Sequence, residues 1–515
     1  MLLAALLAGS LPAAGWADRG DRPNAGLPLG RPGLPETRES RRLAPGVSYT
    51  RIVRGQPSLQ DRYTVDVGFR PDRVAARELA RRLRSDGHWP RVVRVDERAP
   101  DDPQRGVLGY LVRIGSFGTE ADATALRERL VAQGYTGLRV VFTGEDGGRT
   151  TGPWVVHVLE VDPTQLEGRL DARLATDVIP DREPLSSLAA RSGALAGLNG
   201  GYFVIPPTDG TPGDLAGISM LDGALISEAV NGRASLLLPE PSGAEARVAS
   251  LSTRQTATAA DGAAREVDGL NRKPGLIRGC GGTGGDAPTE QPKHDFTCTD
   301  PSELIHVTPA FGATTEPGEG AEAALDAEDR VLELRGTRGG AIPTGGSVLS
   351  ATGEGADWLR EHARPGTTVK IDEQIQADGT PLATTGTLDV INGGPRLLRA
   401  GQQEITAAAE GFHWPENPEF YYRFGVRRNP RTLAGITDDG RLLLVAVDGR
   451  RPGWSVGASF EESAAVMAAL GARDALNLDG GGSTGMALGS GLVSRPSDAT
   501  GERPIADALV IAPQR

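Results

Sequence analysis

Long apolar runs are missing from this 515-residue chain. Beyond its N-terminal segment no stretch approaches the ~18 apolar residues of a membrane-spanning helix, so no such span is expected. Aromatic residues are scarce, at 4%. Glycine and proline are abundant instead, with 70 and 37 residues, which favours turns and short strands over long helices. Excess positive charge is also absent. The formal net charge is -12, which argues against nucleic acid as a partner and leaves anion binding to local arginines or backbone N–H groups. The six histidines are scattered and none lies in the motifs below, against a His-based nucleophilic site or a zinc site. Cysteine occurs twice, at Cys280 and Cys298. In an exported protein such a pair reads most simply as a disulfide, worth ~3 kcal/mol by loop closure. Two free thiols are the alternative. His294 alone does not complete a metal site.

The N-terminus carries a short apolar run, Leu2 to Leu11, followed by Gly15-Trp16-Ala17. That pattern predicts a secretory signal peptide over 1–17 and a secreted or cell-wall-associated product. Residues 18–60 are Pro-, Arg- and Gly-rich without apolar periodicity and read as a disordered linker. Residues 61–143 hold two similar halves. "YTVDVGF" (63–69) and "YLVRIGSF" (110–117) are alternating strands, each followed by a helical pattern and then by "RVVRV" (91–95) or "LRVVF" (138–142). In the second half Thr119 and Asp122 form an N-cap pair; Ala123, Leu126, Leu130 and Val131 share one helix face. The order is βαββαβ, which predicts a ferredoxin-like sandwich. Residues 144–153 (GEDGGRTTGP) read as a second linker. From 154 to 515 short apolar strands alternate with glycine turns, and helices are expected only at 184–192, 354–363 and 459–470. The fold class is therefore α+β: the small βαββαβ domain, then a large, mainly antiparallel domain with an insertion at about 270–300 that holds both cysteines.

The chemistry concentrates in "ALNLDGGGSTGMAL" (475–488). Asp479 ends a strand. Gly480, Gly481 and Gly482 permit positive φ and let a ligand approach bare N–H groups, forming a concave anion site. Ser483 and Thr484 add hydroxyls. No P-loop lysine is present. Two related strand-end turns lie upstream, Asn199-Gly200-Gly201 and Asn392-Gly393-Gly394, and the three together suggest convergence on one side of a sheet. Arg431 precedes a strand and is the residue type for bidentate phosphate contact. Asp448 ends the return strand. Ser459 and Glu462 are spaced as a capping box, which gives Glu462 a structural reading beside a catalytic one.

The stretch "YLVRIGSFGTEADATALRERLVAQGY" resembles the SPOR family, a resemblance that implies binding of peptidoglycan glycan strands through the sheet face. "NGGYF", "NGGPRLL", "RTLAGIT", "VDGR", "EESAAVMAALGARDALNLDGGGST" and "RPIADALVIA" occur in that order. They resemble the phosphodiester glycosidase family, typified by an N-acetylglucosamine-1-phosphodiester α-N-acetylglucosaminidase. This resemblance covers about 154–515 and implies hydrolysis of a sugar-1-phosphodiester at the anomeric carbon. With it go Asp479, Glu462 and Asp448 as catalytic candidates. Arg431 is the phosphate ligand, and the 199–201, 392–393 and 480–484 turns line the substrate site. The paired domains imply a cell-wall or capsular substrate. Gly485, between Thr484 and Met486, departs from the family pattern and supports a second reading, a non-catalytic wall-glycan-binding protein. Neither reading calls for a cofactor. A third, a calcium-stabilised binding domain, would use the Asp and Asn oxygens of these turns; calcium needs six to eight oxygens, and no EF-hand spacing occurs.

Overall fold

The computed structural model describes residues 26–230, 232–239, 246–280, 292–384 and 388–512; the expected signal peptide lies outside them. Strand alternation sets the architecture. In β7 (Trp154–Val161) and in strand Leu442–Val447, successive side chains enter two different cores. Val156, Leu443 and Val445 face one, under helix Phe460–Leu470. Leu159, Leu444 and Ala446 face the other. This period of two identifies a sheet buried on both faces.

That sheet has eight strands, running from β1 (Glu36–Ala44) and β2 (Val47–Arg54) through β7, Leu442–Val447, Arg431–Thr437, Ala472–Asn477 and Arg396–Arg399 to Gln402–Gln403. The linker expected at 18–60 is thereby corrected over its described part. Residues 36–54 form a hairpin, and β2 pairs along its whole length with β7, from Val47↔Val161 to Arg54↔Trp154. The sequence hid it because β1, "ETRESRRLA", is an edge strand with mostly exposed, charged side chains, as edges often are. A second sheet, with β8 (Arg169–Leu174), β9 (Ala196–Asn199) and Asp507–Ala512, and a third, built on Arg247–Ala259, share the second core. Among the described residues all strand pairings are antiparallel except that of Gly269–Leu270 with the strand Leu304–Val307. Helices Leu185–Arg191, Gly353–His362 and Phe460–Leu470 lie where the periodicity expects them.

Residues 63–142 form β3 (Tyr63–Arg70), α1 (Arg73–Ser85), β4 (Pro90–Val95), β5 (Gly109–Phe117), α2 (Glu120–Ala132) and β6 (Arg139–Phe142), with sheet order β4-β5-β3-β6, all antiparallel. Thr119 caps α2, accepting the Asp122 N–H at 3.2 Å. Ala123, Leu126 and Leu130 enter the core, whereas Val131 is 56% exposed and leaves the expected face. Both helices cover one sheet face, packing on Val65, Val67, Val112 and Ile114. The opposite face is covered too. Phe69 and Leu111 join the core of the large domain, and Phe69 stacks on Tyr422 with ring centroids 5.7 Å apart. Between them Arg113 pairs with Asp66 at 2.6 Å and with Asp146, and donates to the Tyr422 hydroxyl at 3.1 Å. Over β3 and β5 the sheet face to which the SPOR resemblance assigns glycan binding is therefore an internal joint.

The expected linker 144–153 belongs to this joint. The carbonyls of Gly144 and Gly148 each accept from Arg428 at 2.8 Å, and Glu145 pairs with Arg427 at 2.9 Å. Its glycines serve as acceptors for a buried guanidinium rather than as a flexible spacer. Arg113→Ala leaves the buried Asp66 without its partner beside the half-buried Asp146; a loss of about 3–5 kcal/mol is expected in denaturant unfolding. A change under about 1 kcal/mol would contradict the joint's assigned weight.

Candidate functional site

The Asx-Gly-Gly turns meet behind one cleft. Asn199 joins three segments. Its Nδ2 donates to the Asp479 carbonyl at 2.8 Å, and its Oδ1 accepts from the Thr432 hydroxyl at 2.7 Å and the Gly485 N–H at 3.0 Å. Asn392 Oδ1 accepts the Tyr202 N–H at 2.8 Å, and Gly394 N–H donates to the Asn477 carbonyl at 2.8 Å. Asn477 Nδ2 reaches the Tyr202 hydroxyl at 2.7 Å. Asn199 and Asn392 are buried and, with Gly200, Gly201 and Gly393, lie outside the cleft lining. They hold the loops that carry it. Gly485 takes part in the same lattice through its N–H.

The three glycines of 480–482 each have a separate reason. Gly480 lies against the Pro430 carbonyl, Gly481 has φ of 62°, and a Cβ on Gly482 would meet the Arg503 guanidinium at 2.1 Å. All three line the cleft. The expected N–H cradle is only partly free, because Gly481, Ser483 and Thr484 N–H groups donate to Pro430, Gly480 and Gly481 carbonyls. Ser483 and Thr484 are buried and do not line the cleft.

The other candidates divide. Asp479 and Arg431 line the cleft. Arg431 is buried, donates to the Ala458 carbonyl at 2.9 Å and to the Phe424 carbonyl, and lies 4.4 Å from the Phe460 ring. Asp448 and Glu462 lie elsewhere. Asp448 is 1% exposed and takes bonds from Trp454 Nε1 at 2.7 Å and Arg495 N–H at 2.9 Å. Glu462 completes the capping box with Ser459 and holds Arg428 at 2.7 Å. Both carboxylates are occupied with structure.

The cleft encloses ≈ 1060 Å³. Among the described residues nine arginines and six acidic residues line it, a positive surplus in a chain of net charge -12. Burial pushes the Asp479 carboxyl up to about 7, against the Ser483 hydroxyl and the Arg503 charge, which pull it down. Arg233 was not foreseen. It opens strand Arg233–Pro239, is 4% exposed, and gives Nε to the Glu410 carbonyl at 3.0 Å. Its Nη1 and Nη2 have no partner among the described residues, and burial lowers its pKa to about 10. Two unpaired donors on a buried guanidinium suit an anionic group.

Asp295 was also unforeseen. The Cys280–Cys298 disulfide ties strands Leu276–Arg278 and Thr297–Thr299 together, and the adjoining turn presents His294 and Asp295 to the cleft. Asp295 pairs with Arg278 at 2.9 Å. What burial it has would raise its carboxyl, but the side chain is half exposed, and the Arg278 and Arg233 guanidiniums outweigh that burial and hold it below the usual range. His294 packs against Tyr202 and Phe412, and burial lowers its pKa to about 3. Among the described residues no group of three or more His, Cys, Asp or Glu is gathered as for a metal ion.

Asp507 supports the loops from behind. It is 2% exposed, accepts the Gly201 N–H at 2.8 Å, and burial pushes its pKa up to about 7. An unfolded Asp titrates near 3.9, so between about pH 4 and 7 the folded chain keeps a proton that the unfolded chain has lost. Stability from this group falls as pH rises through that window. Asp507→Asn removes the dependence. Urea midpoints at about pH 5 and about pH 7.5 are expected to shift in the variant's favour at the higher pH; an equal gap at both would contradict this.

A profile of the phosphodiester glycosidase family matches residues 319–512 and one of the SPOR domain matches residues 59–141. A crystal structure from Burkholderia pseudomallei K96243, of a protein named only for its inferred export, is 36% identical over 96% of this chain and 100% of its own, with a TM-score of 0.88. A hypothetical protein from Synechocystis shares the fold at 16% identity, TM-score 0.54, over 93% of this chain and 81% of its own. The zebrafish N-acetylglucosamine-1-phosphodiester alpha-N-acetylglucosaminidase catalytic domain matches at 18% identity and a TM-score of 0.36, over 70% and 78%. No curated protein matches the chain.

Proposed function

Because this chain belongs to the phosphodiester glycosidase family and carries a SPOR domain ahead of the matched region, we propose that it is an exported hydrolase cleaving a sugar-1-phosphodiester of the N-acetylglucosamine type in a cell-wall or capsular glycan. The observation that carries this reading is the pairing, in one cleft, of Asp479 with the open Arg233 guanidinium. The strand order of residues 63–142 supports reading that unit as a ferredoxin-like sandwich.

Arg233 and Arg431 hold the phosphodiester charge, Arg233 through its two free donors. Asp479, neutral below about pH 7, approaches the diester without the repulsion a carboxylate would meet. Its proton passes to the bridging oxygen as the bond between that oxygen and the anomeric carbon breaks. Asp295 stays ionised, stabilises the oxocarbenium-like state and takes a proton from the attacking water, whose oxygen bonds to the anomeric carbon. The products are a free sugar and a phosphate monoester. No cofactor enters this scheme. A rise in melting temperature with added calcium would favour the calcium-stabilised alternative.

Turnover of an N-acetylglucosamine-1-phosphodiester in ¹⁸O-labelled water tests the reading. Cleavage at the anomeric carbon leaves the phosphate monoester unlabelled. Label in the phosphate would mean attack at phosphorus and overturn it; no turnover across a panel of sugar-1-phosphodiesters would favour a binding protein.

A further inference from the structure

The cleft does not end with the large domain. Its far wall is the SPOR unit, with Thr124 and Arg127 of α2, Arg139 of β6 and Tyr63 of β3 lining the same enclosed volume as Asp479. The volume, ≈ 1060 Å³, lies at the top of the about 300–1,000 Å³ range of small-molecule sites. Over β3 and β5 the unit's helix-free sheet face is taken up by the joint around Arg113 and Tyr422, while at its β6 edge Arg139, opposite Asp66, opens to the cleft. What it offers to a ligand in the cleft is the α2–β6 edge.

The charges on this wall are unevenly used. Asp66 is paired with Arg113, Glu145 with Arg427, and Glu419 faces Arg423 at 3.6 Å. Arg127 and Arg139 make no hydrogen bond or salt bridge among the described residues, although the Glu419 and Asp66 carboxylates act on the Arg139 charge from nearby. Arg139 is exposed and Arg127 partly so. Glu120, on the first turn of α2, also lines the wall, so the surface there is not uniformly cationic. Donors without a hydrogen-bonding partner thus stand on both walls, at Arg233 on the wall of the large domain that also carries Asp479, and at Arg127 and Arg139 on the SPOR wall. A single sugar phosphodiester satisfies only the first.

We infer that the α2–β6 edge of the SPOR unit forms distal subsites for a chain with repeated sugar–phosphate links, so that Arg127 and Arg139 hold a phosphate of a neighbouring repeat while Asp479 and Arg233 hold the scissile one. The inference rests on the proposed reading of the Asp479 site. It makes the SPOR unit part of substrate selection, whereas a detached wall anchor would leave the cleft unaltered by its loss.

The test uses full-length protein and non-hydrolysable oligomers of N-acetylglucosamine 1-phosphonate, in which a methylene replaces the anomeric oxygen, with one or six repeats. Binding is measured by calorimetry at two salt concentrations. The wild type is expected to bind the six-repeat probe at least about tenfold more tightly than the one-repeat probe, and the Arg127→Gln/Arg139→Gln double variant to lose that gain together with part of the salt dependence. Both substitutions are at accessible side chains, and an unchanged melting temperature confirms the fold. No gain with length in the wild type, or a gain the double variant keeps, overturns the inference. Because the probes are not cleaved, a protein that binds them in this way but releases no sugar from true diesters would sink the hydrolase reading and leave the distal subsites standing.

Discussion

Asp479→Asn is expected to lower kcat on an N-acetylglucosamine-1-phosphodiester by about 10³-fold, within the 10²–10⁴ range of a positioned general acid. KM should change little, because the amide keeps the size of the group and loses only the transferable proton. The backbone of this residue is tied independently: its N–H donates to the Gly200 carbonyl at 3.2 Å and its carbonyl accepts from Asn199. The variant should therefore fold, and its melting temperature should not fall. A folded Asp479→Asn protein within tenfold of wild type would remove Asp479 from the proton transfer.

Arg233→Gln is expected to lower kcat/KM by about 10²–10³-fold, the scale of a lost charge-stabilising donor. The loss should fall on both constants, since the phosphate is charged in the ground state and gains charge as the bond breaks. Truncation also disturbs packing on Phe412, whose ring centroid lies 5.1 Å from the guanidinium carbon. Arg233→Lys separates the two effects. It keeps the charge without the planar fork, so partial recovery is expected if phosphate contact is the cause. Activity of the Gln variant within threefold of wild type would assign the phosphate to other residues. Steady-state kinetics on all three proteins supply the check.

The parts of the fold and of the site that were legible in the sequence are those fixed by local chemistry. A capping box spaces Ser459 and Glu462, a strand followed by three glycines marks the 479–482 loop, and a glycine turn separates the apolar strands Arg431–Thr437 and Leu442–Val447. Such signals act within a few residues and survive into the fold. Asp448 misled because a carboxylate beside glycine looks reactive, and only its partners in the fold, Trp454 nearby and Arg495 and His157 far along the chain, show it to be occupied. Arg233 and Asp295 carry no local mark. Arg233 starts an ordinary strand, and Asp295 lies in a stretch notable in sequence only for its cysteines. Their roles arise from what packs around them, an orphaned guanidinium in one case and a cluster of charges in the other. The joint between the units was illegible for a like reason. Glycine-rich 144–153 has the composition of a spacer, and only the buried Arg428 gives its carbonyls a partner.

The central claim is that Asp479 works in its protonated form beside a phosphodiester. The pH dependence of kcat/KM for the wild type, followed by sugar release, tests this most directly. With the carboxyl pushed up to about 7, activity should hold level below that pH and fall tenfold per unit above it. Activity that instead rises through about pH 7 would mean that the ionised carboxylate is the working form, and would contradict the account.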